Sequence, residues 1–115
     1  MQATGAKAFA MECDVGVKAD VDRFFTDAVQ WHGETPSLLV NNAGIQTWSP
    51  LLDLAEDKWD DVIRTNLKGC FLNIQAAGRL MKDSGRGGSI VNIGSGCNKL
   101  AFRFWRRQTR CRSKS

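Results

Sequence analysis

The sequence predicts an α/β fold built on a parallel sheet. Three observations carry that expectation. The elements run strand, helix, strand, helix, strand along the chain. The two longer segments hold apolar residues at helical spacing. The segments between them are short, continuous apolar runs, too brief for helices and suited to strands buried on both faces.

Each element has a local reason. Ala8, Phe9, Ala10 and Met11 form an apolar run within residues 6–15, read as a short strand ended by Asp14 and Gly16. A helix opens at Lys18 or Asp20. Val21, Phe24, Phe25, Ala28 and Val29 follow i, i+3, i+4 spacing and predict one buried face. His32 and Gly33 stand where that helix should stop: histidine suits the negative end of the dipole, and glycine suits a left-handed cap. That capping role outweighs a catalytic reading of His32. The run Ser37-Leu38-Leu39-Val40 reads as the next strand, followed by a loop from Gly44 to about Ala55. A single long helix is expected from Glu56 to about Lys82. Trp59, Val62, Ile63, Leu67, Cys70, Phe71, Ile74, Ala77 and Met81 keep its period, and Glu56, Asp57, Asp60 and Asp61 load its positive end. The Ser84-Gly85-Arg86-Gly87-Gly88 segment ends it, and Ser89-Ile90-Val91-Asn92-Ile93 is the last strand.

Composition narrows the class. The chain has 115 residues, 43% of them hydrophobic, which is enough for one domain with a core. No apolar run is long enough to span a membrane and no charged n-region leads an apolar stretch, so the expected compartment is the cytoplasm. Cys13, Cys70, Cys97 and Cys111 are scattered and His32 is the sole histidine, a pattern that argues against a metal site and suits a reducing environment. The net charge of +4 is misleading. Seven of the sixteen basic residues lie from Lys99 onward, where there is no acid, so the body carries nine basic residues against twelve acidic ones.

Two strand ends are polar and small: Val40-Asn41-Asn42-Ala43-Gly44 and Asn92-Ile93-Gly94-Ser95-Gly96. Such sequences make ordinary turns. They also suit ligand contact, because ligands bind at the carboxyl ends of strands in parallel α/β sheets. On composition alone both readings stand. Asn66, taken alone, reads as a polar residue on a helix flank.

Taken in order, Cys13-Asp14-Val15, Asn41-Asn42-Ala43-Gly44, Asn66 and Gly88-Ser89-Ile90-Val91-Asn92-Ile93-Gly94-Ser95 resemble the middle of a classical short-chain dehydrogenase/reductase. The resemblance covers residues 3–102 and looks closest to the branch of 3-oxoacyl carrier-protein reductases and glucose dehydrogenases. It implies an incomplete Rossmann-like, doubly wound parallel sheet with about three strands and two long helices. It also implies hydride transfer between NAD or NADP and a carbonyl or alcohol substrate. By that resemblance Asp14 accepts a hydrogen bond from the adenine amino group, with the Val15 backbone beside it. Asn42, Ala43 and Gly44 line a cofactor ribose, and the asparagines tie neighbouring strands. Asn66 holds a relay water through its helix backbone, and Ser95 bonds the substrate oxygen. Full-length members of the family are usually homo-oligomers.

The sequence departs from the family pattern in three ways. The glycine-rich pyrophosphate turn would precede Met1, and Gly85, Gly87 and Gly88 come after a helix and before a strand, the wrong order to replace it. The family's tyrosine and lysine would fall at Gln108 and Arg112, and the chain has no tyrosine. The family's two central strands would also precede Met1, so the chain is expected to be inactive alone and to fold poorly or aggregate.

The expected domain is 1–102, with 103–115 a basic, unstructured tail. That tail, with Phe104 and Trp105 among arginines, allows a second reading as a non-enzymatic module contacting nucleic acid, though an accidental tail is the favoured account. A third is assembly with a fragment that supplies the missing strands. A reading-frame shift near Phe102 would produce this tail. Sequencing the gene should then reveal a shifted frame that restores a Tyr-x-x-x-Lys motif; its absence from every frame would rule the shift out.

Overall fold

A computed structural model of the chain describes residues 5 and 7–95. The basic tail and its proposed nucleic-acid contacts lie outside these residues. Helix α1 spans Lys18–His32 and strand β1 Leu38–Asn41. A short 3₁₀ turn follows at Leu51–Asp53. Helix α2 spans Glu56–Ile63, a π turn occupies Arg64–Lys68, helix α3 spans Gly69–Asp83, and strand β2 spans Ser89–Asn92.

Helix α1 starts and stops where its sequence says it should. The carboxylate of Asp20, in the first turn, accepts the Asp14 N–H at 3.2 Å. Gly33 takes the left-handed conformation at φ 83°, and its N–H donates to the Val29 carbonyl at 2.8 Å, closing the helix. Strands β1 and β2 pair in parallel, with Leu38 opposite Ser89 and Asn41 opposite Asn92. The ladder continues past both ends through Ser89 N–H to Ser37 O and Ile93 N–H to Asn41 O, each 2.9 Å.

The core lies between the two long helices and one face of the sheet. Val21 and Phe25 of α1 are buried with Leu72, Ala77 and Met81 of α3, and Leu39 of β1 packs against them. Along β1, Leu39 and Asn41 share the covered face, because strand side chains alternate. Leu38 and Val40 point the other way and remain 56% and 49% exposed.

Three expectations need correction. The run around Phe9 does not form a strand: residues 7–14 join no ladder among the described residues. A strand needs a partner for its backbone groups, and the described sheet contains only β1 and β2. The two strands are not buried on both faces, because the described helices cover one face only and every residue of β2 is exposed. The long helix is not uniformly α-helical. At its middle Gly69 N–H donates to Arg64 O, an i→i+5 bond. Such a turn accommodates an extra residue and rotates the residues after it by about 100° relative to an unbroken α-helix. The buried positions after it are Gly69, Leu72, Ala77 and Met81; Ala77 and Met81 lie on the expected face, while Leu67, within the turn, and Phe71, just after it, are 64% and 56% exposed.

The described structure therefore presents an apolar sheet face together with an open edge on β1. Edges and faces of this kind promote association. The 115-residue chain is expected to associate as its concentration rises, and Val40→Lys, on the uncovered face, to reduce that association. Light scattering over a dilution series measures both; a monomer with a cooperative melt at every concentration would contradict the expectation.

Candidate functional site

Four of the sequence-selected positions converge on the π turn. After β1, the chain leaves the sheet through Asn42, Ala43 and Gly44, all exposed. The side chain of Asn66 then grips the next residue twice: Oδ1 accepts the Ile45 N–H and Nδ2 donates to the Ile45 carbonyl, both at 2.8 Å. Gly44 lies directly beneath this clamp, where an added Cβ would sit 3.6 Å from Asn66 Oδ1. With its amide committed to Ile45, Asn66 serves as a splint between loop and helix, which the resemblance did not imply.

The loop before α1 meets the same turn. Asp14 Oδ1 accepts the Gly16 N–H at 2.8 Å, and Asp14 Oδ2 accepts from Arg64 Nη1 at 2.6 Å. The guanidinium bond, followed by the Gly16 N–H, holds the Asp14 carboxyl below the usual aspartate range. The same pairing pushes the Arg64 pKa up, so this cation stays charged. Val15 packs on Gly69, where a Cβ would meet Val15 Cγ2 at 2.8 Å; only a glycine lets the loop lie this close.

At the strand ends, Asn41 Nδ2 donates to Asn92 Oδ1 at 2.8 Å, so an amide pair ties the two strands side by side. Asn41 is buried, and its Oδ1 has no partner among the described residues. An orphaned acceptor of this kind costs about 1–3 kcal/mol unless another group completes it. Ser95 stands exposed just beyond β2.

Sequence patterns gave no sign of a groove of about 700 Å³. Phe9, Phe25, Trp31, Leu38 and Val40 line much of it, and Val15, Asn41, Asn42 and Ala43 border it. Phe9 and Trp31, both in its lining, stack on each other with centroids 5.4 Å apart. Its apolar lining suits packed side chains better than charged phosphates. Cys13 also faces this groove, but burial, then the charge of Asp20, pushes its thiol pKa up, the wrong direction for a reactive thiolate. Alternating strand residues could have signalled the groove; the residues that close around it come from segments too distant in sequence to be paired by eye.

Comparison with known proteins gives a consistent picture. The family model described as "short chain dehydrogenase" matches residues 1–106. An uncharacterized NAD-dependent oxidoreductase of Mycobacterium tuberculosis is 36% identical over 95 residues, which is 83% of this chain and 34% of that protein. A 3-oxoacyl-acyl-carrier-protein reductase of Staphylococcus aureus is 39% identical over 95 residues, 83% of this chain and 38% of the reductase. The chain thus spans little more than a third of the length of the curated relatives it matches. Among solved structures, a short-chain type dehydrogenase/reductase from Mycobacterium marinum superposes with TM-score 0.82 at 31% identity, covering 86% of this chain and 40% of that one.

The Asp14–Arg64 pair yields a pH prediction. Because the folded carboxyl titrates below its unfolded value, its contribution is complete above the unfolded aspartate pKa and is lost as pH falls through the folded one. Carbon-detected NMR titration of Asp14 should give a midpoint below that of ordinary aspartates, and Arg64→Met should move it upward. An unchanged midpoint in the variant would show that Arg64 is not the cause.

Proposed function

The chain belongs to the short-chain dehydrogenase family, and from that premise we propose that its loops form the adenosine side of an NAD(P) site in a carbonyl or alcohol oxidoreductase. The observation that carries this reading is the pair of hydrogen bonds between the Asn66 amide and the Ile45 backbone, which anchors the loop at the carboxyl end of β1 to the same helix turn that Asp14 contacts. Carboxyl ends of parallel strands are where such folds bind ligands.

The residues present fit this cofactor. Asp14 is ionised, and each of its oxygens keeps acceptor capacity beyond its present bond, so it can receive an adenine amino group. The Val15 backbone would lie beside it. Asn42, Ala43 and Gly44 are small or amide-bearing and exposed, suited to approach by a ribose. The nicotinamide, when bound, supplies or accepts the hydride. Asn66 has its side chain occupied by Ile45, so a water in a proton relay would be held by its main chain. Ser95 would donate to the substrate oxygen and steady the charge that develops there.

The chain holds no tyrosine, so the 115-residue polypeptide alone would have no phenolic acid–base. Loss of general acid–base catalysis costs about 10²–10⁴ in rate, and the chain by itself is expected not to turn over. The proposal covers NAD and NADP alike, and it takes the substrate only as a carbonyl or alcohol.

Grafting residues 7–95 in place of the matching third of the Staphylococcus aureus reductase tests the assignments, because the recipient supplies the rest of the fold. The chimera is expected to reduce its substrate. Ser95→Ala should lower kcat by about 10²–10³. Asp14→Ala should raise the cofactor KM with a smaller effect on kcat. An active chimera indifferent to both substitutions would refute the assigned roles.

A further inference from the structure

The turn that carries Asn66 also carries Arg64, which has no part in the roles assigned above. Its guanidinium bonds Asp14 Oδ2 at 2.6 Å while Gly16 N–H holds Oδ1 at 2.8 Å, so both carboxylate oxygens are held from different directions. Packing reinforces this orientation. A Cβ at Gly16 would lie 2.7 Å from Arg64 Nη1 and 2.8 Å from Arg64 Cγ, so the arginine stem and head run along the Gly16 backbone. At the other end of the turn, Val15 rests on Gly69. From within the turn, Asn66 holds both backbone groups of Ile45. Two loops that are far apart in sequence therefore share one five-residue support, Arg64–Lys68.

We propose that Arg64 is a positioning residue that locks the Asp14–Gly16 loop onto the Arg64–Lys68 turn, so that this loop and the Asn42–Ile45 loop are held in one fixed relation. The inference rests on the adenosine-site reading above and deepens it. Its basis is geometric. Arg64 and Asp14 are both well exposed, and ion pairs in that setting add little stability. A short charge-assisted bond still selects one orientation of the carboxylate. Asp61 stands 4.0 Å from Arg64 Nε, and Lys68 acts on Asp14 as a charge; neither replaces the direct bond. If Arg64 is released, the Asp14 loop loses its tie to the turn, and the turn loses one of the contacts that hold it beneath Ile45.

Amide hydrogen exchange, read by mass spectrometry on the dilute 115-residue chain, tests the lock directly. Arg64→Met is expected to speed exchange on the order of tenfold in residues 14–17 and also in residues 43–46. Arg64→Lys, which keeps the charge, should restore most of the protection. Asp14→Asn, which removes the acceptor of the Arg64 bond from the loop side, should reproduce the Arg64→Met pattern without altering the helix. Should Arg64→Met loosen α3 as a whole, Asp14→Asn, which breaks the same bond from outside the helix, decides the question. Faster exchange confined to residues 14–17, or no change in either loop, overturns the proposal.

A ligand arm uses AMP observed by saturation-transfer NMR. In the wild-type chain both adenine and ribose protons should receive saturation. Arg64→Met should lower the adenine signals relative to the ribose H1′ signal, a change that general loosening would not produce. An unchanged ratio overturns the positioning role. If AMP receives no saturation from the wild-type chain, the adenosine-site reading fails, while the exchange measurements still decide whether Arg64 couples the loops.

Discussion

One i→i+5 hydrogen bond, from Gly69 N–H to Arg64 O, determines where two separate loops can rest. An unbroken α-helix would present Arg64, Asn66 and Gly69 at angles set by 100° per residue. The wider turn changes their relative directions, so that one reaches Asp14, one grips Ile45 and one leaves room for Val15. π turns recur at functional sites because they redirect side chains without ending a helix. Here the consequence is that the segment before α1 and the segment after β1 are both referred to a single rigid support.

The sheet is simpler than its surroundings. Two parallel strands are tied by their ladder and by the Asn41–Asn92 amide pair at the end where the chain turns toward the candidate site. The helices α1 and α3 shield one face through Val21, Phe25, Leu72, Ala77 and Met81. The opposite face and the β1 edge are left without cover among the described residues, and the apolar groove beside them follows from that. The same scaffold thus combines a tightly bonded set of loops with a sheet whose own apolar surface is only half used. For a chain that spans little more than a third of its relatives' length, this division is physically coherent. Local loop-to-helix contacts can form within the segment, whereas a parallel sheet needs strands drawn from distant parts of a sequence.

Much of the architecture was legible because it is set by short-range rules. The i, i+3, i+4 spacing of Val21, Phe24, Phe25, Ala28 and Val29, with Gly33 as a left-handed stop, located α1 and its end, and left its start between Lys18 and Asp20. The apolar runs at Leu38 and Ile90 located the strands, and their order along the chain implied parallel pairing. The run at Phe9 misled for the complementary reason: extended propensity is local, but a ladder is not. The candidate site was legible as a set of residue types, Asp14, Val15, Asn42, Ala43, Gly44, Asn66 and Ser95, through their order. Arg64 was not, because its partner is 50 residues away in the sequence and nothing in Arg-Thr-Asn-Leu-Lys differs from ordinary helix.

The sequence by itself determined the α/β class, helix α1 and its glycine-capped end, the positions of both strands and the family to which these residues belong, since periodicity, capping and motif order are properties of a chain read in one dimension. Only the tertiary structure decided that the long helix contains a π turn, that Asn66 spends its amide on Ile45, and that Arg64 holds Asp14. Those outcomes depend on which loops press against the helix and how closely glycine lets them approach. No periodicity encodes such contacts, because they are fixed by distances between segments that the fold alone brings together.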